Sequence, residues 1–437
     1  MLSKLKKSIS LDNPLRLWYH KIRAILANYY YGFPSKDMII IWVTWTNWKT
    51  TTSNIIAKWL RNAWKKVFMF STVNIIINDE EYQNDTKMTS PDAFELQRLL
   101  KIAKTKWCEI AVIETASHWI KMNRVWGIDY DIAVLTNITQ DHLDLHKTMK
   151  DYVWTKLKLF SGLISSRKKP WIKKTAIINK DSNYANLFLE ETYNALYTYW
   201  TTPWSDLIAK NIKIEWWITK FEVDVAWPNI QIETYLKWDF NIQNILAAIW
   251  VFISLQIENS KISEMIAEVK WVPGRMELVE NNEWLNIIVD YAHTEDALEK
   301  VLDTIDWFKW NWRIITVFWA TWDRDKTKRF SMWKIVSDKS DVVILTQDDD
   351  YSEKTEDIIN DVIPWIDRKE WEDFWIISTR KEAIQTALVI AKKWDIILLA
   401  WKWDEHVMIT NNWPVKWHDK TVVKELLKEI DDNKIIK

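Results

Sequence analysis

Lys49 and Thr50 sit in the stretch "IWVTWTNWKTTT", residues 41 to 52, directly behind the apolar run "MII". A lysine followed by a hydroxyl residue, at the start of a helix and behind a buried strand, is the pattern of a phosphate-binding loop. The lysine reaches the β- and γ-phosphates, the hydroxyl is offered to Mg²⁺, and the positive end of the helix faces the anion. Trp45, Thr46, Asn47, Trp48, Lys49, Thr50 and Thr51 are therefore the expected nucleotide-binding residues, and a chance Thr-rich turn is the plain alternative. One letter resists this reading. Such a loop needs glycine, because phosphate oxygens must approach its backbone and φ is positive at some positions. Here the glycine positions hold tryptophan.

Composition explains the conflict. The chain of 437 residues has 34 Trp and 4 Gly, whereas roughly 7% Gly, about 30 residues, is ordinary. The two counts look exchanged. Trp42, Trp319 and Trp401 each follow a short apolar run, and Trp64 stands between "LRNA" and "KKVFMF", where a helix should stop. These are glycine positions. Some bacterial lineages read UGA as glycine, and writing such a gene with UGA as Trp would produce this text. Trp42, Trp45, Trp48, Trp319, Trp322, Trp401 and Trp403 are the positions expected to be glycine, while Trp18 and Trp417 suit a real indole. Taken literally, the letters allow a Trp-rich binding module whose exposed indoles stack on sugars.

Other residues could work beside the loop. Glu114 ends the run "EIAVIE" and His142 follows "DIAVLTNI", so both would lie at strand C-termini facing it. Phosphoryl transfer concentrates negative charge and calls for metal ions and cations near that point. Asp290, Tyr291 and His293 close another strand, and Arg324, Lys326 and Lys328 form a basic loop suited to an anion. The bland readings are a capping histidine, surface asparagines at Asn241 and Asn244, and a solvated charge run.

These side chains need a scaffold. Residues 1–36 hold one helix with apolar residues at helical spacing; from 37 to 277 strands alternate with helices, and from 278 to 437 the alternation restarts. This predicts an α/β protein with a mostly parallel central sheet and a second α/β unit. Net charge is −1 and there is one cysteine, Cys108. That composition argues against a disulfide framework, a zinc ribbon and a nucleic-acid partner. A reducing cytoplasm fits, and "MLSKLKKSIS" is not followed by a spanning apolar core. The first helix, with Trp18, Ile22, Ile25, Leu26, Tyr29 and Tyr30, could rest on a membrane surface, but packing on the central domain is the expected role.

The segments "TWTNWKTTT", "TSPDAFELQRLL", "IETASHWIKMNRV", "TNITQDHLDLHKTMKDY", "TKLKLF", "FNIQNILAAI", "VPGRMELV", "VDYAHTEDALEKVL", "FWATWDRDKTKR" and "AWKWDEH" run in order from about residue 38 to the end. Together they resemble the Mur ligases, and within them the MurE type, which adds the third amino acid of the peptidoglycan stem peptide. The resemblance implies a central P-loop ATPase domain with a parallel sheet, a Rossmann-like C-terminal domain, and a shortened N-terminal segment. It implies a monomer that uses ATP and Mg²⁺ to join a diamine amino acid to a UDP-linked muramyl-peptide donor through an acyl phosphate. A folate-polyglutamylating ligase is the nearest enzymatic rival, and "TSPDAFELQ" and "DHLDLHKTMKDY" argue against it.

Residue by residue, the resemblance makes Thr50, Glu114, His142 and a carbamylated Lys156 the Mg²⁺ ligands, with Lys49 on the phosphates. It places Asn241, Asn244, Asp290 and His293 with ATP, and Thr89, Ser90, Ser117 and Arg124 with the donor, position 116 being Ala where a Ser is common. Arg324, Asp348, Tyr351, Trp401 and Glu405 fall to the incoming amino acid. Without the resemblance Lys156 reads as a surface lysine on an amphipathic helix. The "DNPR" of diaminopimelate-adding members reads "DDDY" here, residues 348 to 351, with Tyr351 in the arginine's place.

Overall fold

The computed structural model describes residues 13–44, 49–84, 91–138, 143–200, 205–214, 218–225, 229–236, 239–267, 276–319, 327–347, 359–360, 362–402, 407–409 and 414–435. The chain forms two compact units, residues 1–270 and 271–437. The division falls seven residues before the boundary at 277/278 expected from the sequence, and the first helix belongs to unit one.

Helix α1 (Pro14–Tyr31) shows how local chemistry sets an element. Asn13 caps it by accepting the Leu15 N–H at 2.9 Å, Pro14 occupies the first turn, and Gly32 ends it at φ +70°. Asparagine, proline and glycine are each favoured at those places. Ala24, Ala27 and Asn28 are buried on its packed side. The Asn28 amide donates to Ala24 O at 2.8 Å and Trp126 O at 2.9 Å. Leu15, Trp18, Leu26, Tyr29 and Tyr30 are exposed.

Eleven strands make the sheet of unit one: β1 (Ile39–Thr44), β2 (Val67–Phe70), β3 (Asn74–Ile77), β4 (Glu80–Gln83), β5 (Ile110–Thr115), β6 (Ile132–Leu135), β7 (Thr175–Asn179), β8 (Ala195–Trp200), β9 (Leu207–Ile214), β10 (Thr219–Asp224) and β11 (Ile230–Thr234). Their order is β11-β10-β9-β8-β7-β6-β1-β5-β2-β3-β4. The run from β9 to β2 is parallel, while β10, β11, β3 and β4 pair antiparallel at the two margins. The expected parallel sheet is thus the centre of a mixed one. β1, β5, β6 and β2 are buried almost throughout, as strands covered on both faces must be. The helices that matter to the site are α2 (Lys49–Asn62), α3 (Ala93–Thr105), α4 (Met149–Ser165) and α5 (Asp239–Ser254).

Unit two has a six-stranded sheet of β12 (Glu277–Val279), β13 (Asn286–Asp290), β14 (Ile314–Phe318), β15 (Val342–Leu345), β16 (Phe374–Ile376) and β17 (Ile396–Ala400). The order is β12-β13-β17-β14-β15-β16, parallel except for β12. Helices α6 (Glu295–Phe308), α7 (Arg380–Ile390) and α8 (Asp419–Ile435) belong to this unit. Thr294 caps α6 through the Ala297 N–H, with Glu295 and Asp296 in its first turn, where negative charge suits the helix dipole. A fully buried pair holds α7 to α8: Arg380 Nε and Nη2 meet Asp419 at 2.9 and 2.6 Å, and Nη2 also donates to Ala400 O at 3.0 Å. No described helix is long and apolar enough to cross a membrane.

Candidate functional site

β1 and β5 run in register, with Val43 beside Glu114 and Thr44 beside Thr115. Their C-terminal ends therefore finish together at the start of α2, the place where open parallel sheets bind ligands. Glu114 is buried and accepts three hydrogen bonds: from Thr50 Oγ1 at 3.0 Å, from the Thr72 N–H at 2.8 Å and from Thr72 Oγ1 at 2.9 Å. A buried carboxylate is tolerable when its oxygens are satisfied in this way. Thr50 and Glu114 are thus brought together as the sequence expected. Thr72 was missed. Its signal was its place just past β2, "VFMFST", because β2 is the parallel neighbour of β5.

The first turns of α2 are anchored from two sides. Thr50 and Thr51 are buried, and Asn54 Nδ2 donates to Thr50 O at 2.9 Å while pairing with the Asn74 amide at 3.1 Å. Thr52 Oγ1 donates to Asn244 Oδ1 at 3.0 Å, and Asn244 Nδ2 donates to Asn241 Oδ1 at 3.2 Å. Both asparagines are buried on α5, so the surface reading does not hold. Beside them Gln243 accepts from Asn179 at 3.1 Å and donates to Asp181 at 2.8 Å. Burial raises the Asp181 carboxyl to a pKa of about 7.

Lys156 lies on α4 and is fully buried, its Nζ 4.6 Å from the centre of the Tyr152 ring. The surface-lysine reading is therefore wrong, because the apolar stripe of α4 turns this position into the unit. Nearby, His146 Nε2 meets Ser117 Oγ at 2.9 Å. Burial, then the Lys121 ammonium, lowers the His146 pKa to about 4. His146 is thus neutral at neutral pH, and Ser117 is engaged with it. Lys121 is tied to Asp151 at 2.8 Å. Arg124 is half-buried with its pKa lowered by burial, near Asp92, Arg16 and Arg23. Arg16 and Arg23 come from α1, a contribution sequence spacing did not reveal.

In unit two Asp290 closes β13 as a buried carboxylate, and its Oδ2 accepts the Met276 N–H at 2.7 Å. His293 Nδ1 lies 2.9 Å from Tyr291 O, and its ring is 4.1 Å from the Tyr291 ring and 5.8 Å from that of Trp401. The backbone N–H of Trp401 donates to Asp290 O at 3.0 Å. Asp290, His293 and Trp401 therefore form one cluster at the ends of β13 and β17. Trp45, Thr46, Asn47, Trp48, Thr89, Ser90, His142, Arg324, Asp348, Tyr351 and Glu405 lie outside the described residues.

Among the described residues no group of three acidic, histidine or cysteine side chains could hold a metal. The Thr50 hydroxyl and the Glu114 carboxylate, 3.0 Å apart, are nonetheless a fitting oxygen pair for Mg²⁺, which takes few protein ligands and keeps water and phosphate oxygens.

The family model of the Mur ligase middle domain matches residues 43–252, and that of the Mur ligase, glutamate ligase domain matches residues 274–400. A UDP-N-acetylmuramoyl-L-alanyl-D-glutamate–2,6-diaminopimelate ligase of Bacillus cereus is 35% identical over 424 residues, 97% of this chain and 85% of that protein. A solved structure of a UDP-N-acetylmuramoyl-L-alanyl-D-glutamate–2,6-diaminopimelate ligase superposes with a TM-score of 0.65 at 26% identity, covering 94% of this chain and 83% of the other. The folylpolyglutamate synthase of Mycobacterium tuberculosis, complexed with ADP and AMPPCP, shares the fold with a TM-score of 0.70 at 14% identity, covering 87% of this chain and 92% of the other.

Proposed function

The chain belongs to the Mur ligase family, in its MurE type, and is an ATP-dependent ligase; from this we propose that it joins a diamine amino acid to UDP-N-acetylmuramoyl-L-alanyl-D-glutamate. The observation that carries the reading is the buried Glu114 carboxylate, near the end of β5, held by Thr50 in the first turn of α2. A carboxylate is a poor electrophile. The donor's carboxylate oxygen therefore attacks the γ-phosphorus of ATP, the bond to the bridging oxygen breaks, and ADP leaves an acyl phosphate. The neutral amine then attacks the acyl carbon, inorganic phosphate leaves, and the ammonium proton is lost.

In this reading Lys49 compensates charge on the β- and γ-phosphates, and the buried asparagines of α5 hold the nucleotide end. Thr50, Glu114, His142 and Lys156 would hold Mg²⁺, which supplies neutralisation of the phosphoryl charge. Lys156 serves as a carbamate: its amine adds CO₂, loses a proton and becomes an anion. Arg124, Thr89, Ser90 and Ser117 face the donor. Asp290 and His293 serve the nucleotide, and position 401, through its backbone, serves the acceptor together with Arg324 and Glu405. We place the enzyme in the cytoplasm, acting as a monomer.

The relatives' names specify 2,6-diaminopimelate. In this chain Asp348, Asp349, Asp350 and Tyr351 stand where those enzymes' "DNPR" is expected, without the arginine. A distal carboxylate is best held by a planar bidentate guanidinium, whereas an acidic segment suits a bare terminal ammonium. L-lysine is therefore the acceptor we propose. The assay uses the enzyme carrying glycine at the positions expected above and measures phosphate release from ATP with the donor dipeptide and each amino acid supplied in turn. L-lysine is expected to show the higher kcat/KM. Higher kcat/KM with diaminopimelate removes the acceptor reading, and no amino-acid-dependent release with either removes the ligase reading.

A further inference from the structure

Fourteen described non-glycine residues have positive φ, and seven of them are tryptophan: Trp64, Trp107, Trp284, Trp310, Trp371, Trp394 and Trp401, between +53° and +86°. A bulky side chain at such an angle is a true outlier, and glycine takes it without cost. At two of the seven, the local hydrogen bonds explain the angle. After α2, Trp64 donates to Arg61 O and Lys65 to Leu60 O, at 2.9 and 3.0 Å; after α3, Trp107 donates to Lys104 O and Cys108 to Ala103 O, at 3.1 and 2.9 Å. This is the paired closure that ends helices at a left-handed residue. The same closure after α1 uses Gly32, with Gly32 donating to Tyr29 O and Phe33 to Asn28 O. The chain thus carries its own control.

The most exposed of these indoles, at 64, 107 and 310, lack a packing role. Trp64 and Trp310 are 95% and 80% exposed. Inside β1 and just past β14 the opposite holds: Trp42 and Trp319 are fully buried, yet neither indole Nε1 has a hydrogen-bond partner. A buried unpaired donor is rare and costly. By contrast Trp417 Nε1 donates to Asp419 Oδ1 at 2.8 Å, inside the buried Arg380 pair. Trp59 also has an unpaired buried indole, but it lies inside α2, where no turn calls for glycine, and it is outside the set.

We propose that nine positions, 42, 64, 107, 284, 310, 319, 371, 394 and 401, are glycine in the protein made by the source cell, and that 417 is tryptophan. The backbone at each of the seven left-handed positions is a glycine backbone, and the buried indoles at 42 and 319 leave their Nε1 without an acceptor. This stands apart from the ligase reading.

The test is peptide mass spectrometry of the native protein, which separates indolylmethyl from hydrogen at every position. Glycine at the seven left-handed positions and tryptophan at 417 are expected; intact indoles at the seven overturn the proposal. A second measurement works on the recombinant chain. Trp107→Gly is expected to raise Tm by several degrees, and Trp107→Ala to raise it much less, because alanine removes the bulk but keeps the Cβ that opposes positive φ. Equal gains from both, or a loss from glycine, overturn the backbone argument. Neither result depends on activity.

Discussion

The three hydrogen bonds that Glu114 accepts come from two kinds of neighbour. Thr50 lies in the first turn of α2, whereas Thr72 follows the end of β2 and holds the carboxylate twice, at 2.8 and 2.9 Å. Thr72→Val keeps the shape and the backbone bond but loses the hydroxyl bond. It is expected to lower kcat about tenfold, because in the proposed function Thr72 orients a ligand of Mg²⁺. Lys156→Ala is expected to lower kcat about 100-fold, with partial recovery in added short carboxylates. Full activity of that variant at ordinary Mg²⁺ would show that position 156 has no catalytic part. Lys156 also marks how far letters alone go. "TKLKLF" has the spacing of an amphipathic helix, and only the packing of α4 reveals that this lysine is on the inward stripe.

Elements in this chain are positioned by a few well-placed polar residues. In unit two, Asp419 bridges α7 and α8 by receiving both Arg380 and the Trp417 indole. Asp419→Ala strands a fully buried guanidinium, which is expected to cost about 3–5 kcal/mol. A urea titration measures it, and a loss below about 1 kcal/mol would mean that the pair contributes as little as a surface ion pair. In unit one, Asp131 ties the start of β6 to its neighbours. It meets Lys169 at 2.5 Å and Lys174 at 3.0 Å, and it accepts the Ile40 N–H at 2.9 Å. The parallel strands that carry Glu114 and the phosphate loop are aligned by contacts of this kind, far from the chemistry.

The whole molecule joins two units with separate cores, so the Asp419→Ala loss is expected to appear in one unfolding transition and leave the other in place. Dependence on pH follows from groups in unit one. His20 and His146 are lowered to about 4, both chiefly by burial, and Asp181 is raised to about 7 by burial. Between about pH 4 and 6.5 the unfolded chain binds two protons on the histidines that the fold does not, while the fold keeps one on Asp181 that the unfolded chain has lost. The net is one extra proton on the unfolded chain, so stability falls as pH falls through this window. Replacing both histidines by glutamine is expected to reverse the slope of urea midpoint against pH, and Asp181→Asn to steepen it. A midpoint independent of pH in both variants would contradict the assignment.

Much was determined by sequence alone. Parallel strands leave long β-branched runs such as "MIII" and "IILLA" because both faces are covered, and Lys-Thr behind such a run announces phosphate. The exchanged counts of tryptophan and glycine were visible before any coordinate. Other matters needed the tertiary structure, because they depend on which strand ends meet. Thr72 reaches Glu114 because β2 lies beside β5. Thr52 reaches Asn244 across 192 positions of chain. Arg16 and Arg23 join Arg124 because α1 lies against this side of unit one. The antiparallel margins of the large sheet were equally hidden, since alternation along a strand reports burial but not the direction of its neighbour. The dihedral angles decided which tryptophan positions have a glycine backbone. A letter shows the size of a side chain, and only the folded backbone shows whether a Cβ can be accommodated there.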